Sequence, residues 1–221
     1  MDLIALIQKI AIFAIPGILA ITLHEAAHGW VASLRGDKTA LMLGRVTANP
    51  IKHIDPIGTL AVPFLTYYFS GFLFGWAKPV PINGRNLNNP RWDMLWVALA
   101  GPGSNLVMAL LWSLLILVGV SLLPNAESVA VPLIYMAGVG VLFNVVLMVL
   151  NLLPILPLDG GRVLNSLLPA RLAISYSRLE PYGMFILIGL LVLGILSKVL
   201  LPMVQFVIGI LPASEIVNQI F

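Results

Sequence analysis

The sequence predicts an all-α polytopic membrane protein, a helical bundle of about 4–6 membrane segments with a small re-entrant or β-like element after the first helix. Three observations carry that expectation. The chain is 60% hydrophobic and only 10% charged, with a mean hydropathy of +1.02, whereas a soluble domain is typically about 45–50% apolar and about 25% charged. Several apolar runs approach or exceed the ~20 residues that a spanning helix needs. The links between them are polar, rich in proline and glycine, and too short for a separate soluble domain. Residues 1–221 therefore read as a single domain.

Leu3 to Leu34 reads as the first helix, with Lys9 near one end and Arg35 just past the other. Met1-Asp2-Leu3-Ile4 lacks the basic region of a signal peptide, and no small-residue cleavage site follows, so this segment is expected to be retained. Residues 35–56 are polar and punctuated, and within them Thr39 to Thr47 resembles short strand segments. Ile57 to Trp76 is apolar but broken by Gly58, Pro63, Gly71 and Gly75. Residues 77–92 are polar again. A long apolar helix from about Met94 to Leu123 is interrupted by Gly101-Pro102-Gly103-Ser104-Asn105. Val129 to Leu153 is the next span, Tyr182 to Leu201 a later one, and a weaker apolar tail ends the chain.

Charge sets the orientation. Arg35, Lys38, Arg45 and Lys52 lie in residues 35–56, and Lys78, Arg85 and Arg91 in residues 77–92, whereas Pro124 to Ser128 has no lysine or arginine. The positive-inside rule places both basic links in the cytoplasm. Ile57–Trp76 would then enter and leave on one side as a hairpin; a straight crossing is the alternative, since its length is near that of a span. The hairpin gives about four full spans and an external N-terminus. The net charge of +3 and pI of 9.4 come mainly from missing acids, and no basic cluster points to nucleic acid.

The chemistry lies in Ile21-Thr22-Leu23-His24-Glu25-Ala26-Ala27-His28-Gly29-Trp30. Ionisable residues at membrane depth are costly and are functional candidates by default. Residues four apart share a helix face, so His24 and His28 can bind one zinc ion, with Glu25 acting on the water that zinc activates. At 1.5 Å per residue, His24 lies roughly 22 Å from Lys9 and roughly 16 Å from Arg35, inside the bilayer and nearer the Arg35 side. A catalytic zinc usually has three protein ligands and one open position. The chain has no cysteine, so the third is His53 or a carboxylate. Asp159 stands out among the acids, because two prolines precede it and Gly160-Gly161 follow, allowing a tight turn that points it back into the bundle. On local sequence alone it reads as a turn or N-cap aspartate; the need of the histidine pair for a partner favours it as the ligand.

The segments His24-Glu25-Ala26-Ala27-His28 and Asn151-Leu152-Leu153-Pro154-Ile155-Leu156-Pro157-Leu158-Asp159-Gly160 together resemble the site-2 protease family of intramembrane zinc metallopeptidases. Gly101-Pro102-Gly103-Ser104-Asn105 matches its middle helix. The segments His53–Thr59 and Gly75–Pro81 resemble its compact bacterial and archaeal members. The resemblance implies one zinc per chain on His24, His28 and Asp159, with Glu25 as general base and acid. It implies that Asn151 contacts the substrate backbone, for which the alternative is a hydrogen bond with Asn144. Asn105 and the glycines before it are expected to serve helix packing. The implied activity is hydrolysis of a peptide bond within or beside a transmembrane helix of a single-span membrane-protein substrate. The expected location is a prokaryotic cytoplasmic membrane, with the zinc nearer the cytoplasmic face. A strand edge within Thr39–Thr47 would hold the unwound substrate. The 221 residues are expected to carry no PDZ or CBS domain of the kind larger relatives have. A transporter with a midplane metal site would predict repeats and a path of ionisable residues, and neither is visible.

Overall fold

The structure, a computed structural model, describes residues 3–61, 68 and 78–221. The chain forms α1 (Leu3–Leu34), α2 (Thr39–Met42), α3 (Pro90–Leu122), α4 (Glu127–Asn151), α5 (Asp159–Leu167), α6 (Ala170–Ser177), α7 (Gly183–Val192), α8 (Ile195–Gly209) and α9 (Ser214–Ile220). Short helical turns lie at Pro50–His53, Pro56–Ala61, Gly84–Asn86 and Glu180–Tyr182. The choice between hairpin and crossing for Ile57–Trp76 depends on residues 62–67 and 69–77, which lie outside the described residues.

Helices α1, α3 and α4 are each long and apolar enough to cross a membrane. They pack on one another and form the centre of the bundle. Lipid is as apolar as a valine, so this packing rests on close contact rather than on escape from water. Fully buried Ala109 on α3 and Ala137 on α4 let the two backbones approach, and Ile116, Val141 and Val145 fill the space between. Val204 and Ile208 of α8 and Val217 of α9 complete this core.

Three local expectations need correction. Helix α3 starts at Pro90, before the apolar run, and continues through Gly101–Asn105 without interruption. Proline is favoured in a first turn, where its missing N–H has no intrahelical acceptor to lose. Pro102, inside the helix, is tolerated where neighbouring helices cover the freed backbone. The expected straight span Tyr182–Leu201 is broken: Gly194 takes a left-handed conformation, with φ of 69°, and the helices either side of it differ in direction by 84°. Glycine reaches that conformation without steric cost. Among the described residues three helices are long and apolar enough to span, or four if this bent pair counts as one.

The third correction concerns the β-like element. Among the described residues no strand forms, and Thr39–Met42 is a helical turn. Buried Asp37 is the cause. Its carboxylate accepts the Thr39 N–H at 3.1 Å and the Thr39 hydroxyl, which curls the chain locally. The same carboxylate accepts the Asn83 N–H at 2.6 Å and an Asn86 Nδ2–H at 3.1 Å. Burial opposes its charge, but the hydrogen bonds from Thr39, Asn83 and Asn86 outweigh that and hold the carboxyl below its ordinary value of 3.8. Asp37 thus clamps residues 78–89 to the end of α1. Asn88 N–H to Arg35 O at 2.9 Å and Arg45 Nη2–H to Lys78 O at 2.8 Å fasten the rest of that segment.

Candidate metal centre

His24 and His28 face α3 and the start of α5, as their four-residue spacing requires. Their Nε2 atoms are 3.1 Å apart and lie 3.2 and 3.3 Å from Asp159 Oδ2. All three side chains are buried. The outer ring nitrogens decide what this triangle is. His28 Nδ1–H donates to the Val97 carbonyl at 2.7 Å, an oxygen that can only accept. His24 Nδ1–H donates to Asn105 Oδ1 at 2.5 Å, while Asn105 Nδ2–H is directed at the Ala20 carbonyl at 3.3 Å. Each neutral imidazole therefore carries its hydrogen on Nδ1 and turns a lone pair on Nε2 towards the centre.

The close Nε2 pair is thus not a hydrogen bond. Asp159 Oδ2, also buried, receives no hydrogen-bond donor among the described residues. Three electron pairs converge with no hydrogen between them, an arrangement that a cation reconciles. Tetrahedral zinc, with ligands at about 2.0–2.1 Å, sets them about 3.4 Å apart. The observed triangle fits, and its two nitrogens and one carboxylate oxygen are a zinc donor set.

Room for the imidazoles comes from α3. A Cβ on Gly101 would lie 2.4 Å from His28 Nε2 and 2.6 Å from His24 Cε1. Asp159 opens α5, at the positive end of that helix. The double glycine behind it works differently from expectation. Neither Gly160 nor Gly161 has positive φ; they are the places where α5 touches backbone. A Cβ on Gly160 would meet Leu152 O at 2.1 Å, and one on Gly161 would meet Leu156 N at 2.5 Å.

Glu25 and Asn151 line the same cleft as the three candidate ligands, with Pro79, Val80 and Arg162 on its walls. Glu25 Oε2 accepts the Val80 N–H at 2.8 Å. Asn151 does not bond Asn144; its Nδ2–H donates to Leu147 O at 3.0 Å, within its own helix. His53 is buried elsewhere, with Nε2 3.1 Å from Thr47 O, and has no part in the triangle. Sequence reasoning missed three participants: the Val97 carbonyl, the Val80 N–H and Asn105, which was expected only to pack. A signal for Asn105 existed, since an amide in an apolar helix and the outer nitrogen of a ligand histidine each need a partner.

The sequence profile of Peptidase family M50 matches residues 117–194, a stretch that contains Asn151 and Asp159. YwhC of Bacillus subtilis, whose name describes a zinc metalloprotease, is 38% identical over 189 residues, covering 85% of this chain and 83% of that one. The chain belongs to peptidase family M50. Two further relatives, both named Rip2 and described as zinc metalloproteases, come from Mycolicibacterium smegmatis and Mycobacterium tuberculosis H37Rv. They are 29% and 30% identical over 82% and 80% of this chain, which spans 66% and 63% of their lengths. No solved structure matches. As an M50 member the protein is a zinc metalloprotease of the site-2 protease type, and its long apolar helices make it an integral membrane protein.

Proposed function

We propose that this M50 protein is an intramembrane endopeptidase that hydrolyses a peptide bond within or beside a transmembrane helix of a single-span membrane protein. The observation that carries the reading is the origin of the ligand triangle. Two of its members come from the interior of α1, a helix apolar enough to cross a bilayer. A site built there is reached by chains that are themselves in the membrane.

His24, His28 and Asp159 would hold one zinc ion per chain. Zinc held there would supply Lewis acidity, enough to bring the pKa of water to about 7. Glu25 is the general base. The Val80 N–H fixes its Oε2, so Oε1 takes the proton and later delivers it to the leaving amine. Asn151, beside Asp159 in the cleft, contacts the substrate backbone. A substrate helix must unwind before its peptide bond can be attacked, and protein groups must satisfy the freed backbone. The basic links, by the positive-inside rule, support a centre nearer the cytoplasmic face of a prokaryotic cytoplasmic membrane.

Purified protein with stoichiometric zinc, incubated in detergent and in liposomes with a panel of single-span membrane proteins, tests the reading. Mass spectrometry should map cuts within or beside the transmembrane helix. Cuts confined to soluble segments would overturn it.

A further inference from the structure

Asn144 lies in the middle of α4, fully buried, and takes no part in the ligand triangle. It is nevertheless joined to it. Asn144 Nδ2–H donates to Gly140 O at 2.8 Å, one turn back in its own helix. A carbonyl oxygen only accepts, so that bond settles which way the Asn144 amide faces, and its Oδ1 points at α3. There it accepts an Asn105 Nδ2–H at 2.9 Å. The Asn105 amide is oriented in turn, with Oδ1 towards His24 Nδ1. Asn105 and Asn144 are both 0% exposed, so no water competes for these groups.

We infer that Asn144 is a positioning residue for the metal centre, acting through Asn105 to hold His24 in the Nδ1–H tautomer with its Nε2 lone pair on the ion. The inference rests on the zinc reading of the triangle. Asn105 Nδ2–H also reaches the Ala20 carbonyl, but at 3.3 Å that is the longer of its two bonds, so without Asn144 the amide is held by that contact alone. If it turns over and presents Nδ2–H to the imidazole, His24 carries its hydrogen on Nε2, where it blocks a metal bond. The chain of amides also fastens α1 to α3 and α3 to α4 at the depth of the ion. A merely structural hydrogen bond between α3 and α4 would need neither this direction nor this endpoint.

The test uses full-length protein in detergent, with zinc affinity read by chelator competition and ligand geometry by the visible spectrum of the cobalt-substituted form. Asn144→Leu should weaken zinc binding about 10–100-fold, the usual cost of losing an outer partner of a ligand histidine, and should change the cobalt spectrum. Ser113→Ala is the control. It removes another buried polar contact of α3, the acceptor of the Ala213 N–H, and should lower Tm while leaving affinity and spectrum unchanged. Asn144→Ala removes the same groups without bulk and carries the test if the leucine variant does not fold. Wild-type affinity in the Asn144 variants overturns the inference, as does a loss of affinity with an unchanged cobalt spectrum. A wild-type protein that binds no stoichiometric metal overturns the zinc reading instead.

Discussion

Val80 donates its backbone N–H to Glu25 Oε2 at 2.8 Å across 55 positions of sequence. Pro79 and Pro81 flank it and have no N–H of their own, so Val80 is the one donor in that stretch that can reach the carboxylate. Glu25→Gln should keep zinc, because the ligands survive, yet lower kcat by about 10²–10⁴-fold, the usual contribution of a positioned proton carrier. Metal content and turnover measured on one preparation check this. Loss of zinc, or undiminished cleavage, would remove Glu25 from its role. Val80→Pro, which removes the N–H donor along with the valine side chain, should also keep zinc and lower kcat more than it raises KM.

Asp159→Ala should lose tight zinc binding, since two histidines are an incomplete set for a catalytic site. His53→Ala should bind zinc like wild type, because His53 is turned to the Thr47 carbonyl. Chelator competition on the two variants separates the candidates. The reverse result would mean that the third ligand is wrongly assigned.

The Asp37 clamp makes a prediction about pH. Its carboxyl is held below 3.8 in the folded protein, so its contribution is fully present above the unfolded-state value and fades as pH falls through the folded-state value. Hydrogen bonds to a charged group contribute roughly 1.5–3 kcal/mol each. Asp37→Asn should lower Tm at neutral pH, and the gap to wild type should narrow as the buffer is acidified below 3.8. A gap unchanged from about pH 7 to about pH 3 would show that the charge is not what holds residues 78–89.

Topology is testable because the chain has no native cysteine. Single cysteines at Asn49, Asn88 and Asn125, probed with an impermeant thiol reagent on intact cells, should label only at Asn125. External labelling at Asn88 would show that the segment from Ile57 to Trp76 crosses the membrane.

Much of the site was legible because its signals are local. His24 and His28 are one helical turn apart, so spacing alone puts them on one face, and the apolar run from Leu3 to Leu34 bounds their helix correctly. Asp159 was found by chemistry, as a carboxylate where the histidines lacked a partner. What stayed hidden depends on distant contacts. Thr39–Met42 looks like a strand until the Asp37 carboxylate, braced by Asn83 and Asn86, bends it into a turn. The Val80 donor depends on a segment fastened some 50 residues from Glu25. Asn105 looked like packing because its partners, His24 and Asn144, sit on two other helices. The break at Gly194 was local, but one glycine in an apolar stretch does not announce its φ.

Gly101 makes the metal centre part of how the bundle is assembled. The two imidazoles occupy the notch where a methyl group would stand, so α1 and α3 interlock through the very side chains proposed to hold the ion. Filling the site is then expected to favour the seating of one helix against the other. An ion that binds only the seated form stabilises it by mass action. Stripping the metal should therefore act as a lever on the whole molecule, lowering Tm and loosening the contact between the first and third helices, and returning zinc should reverse both.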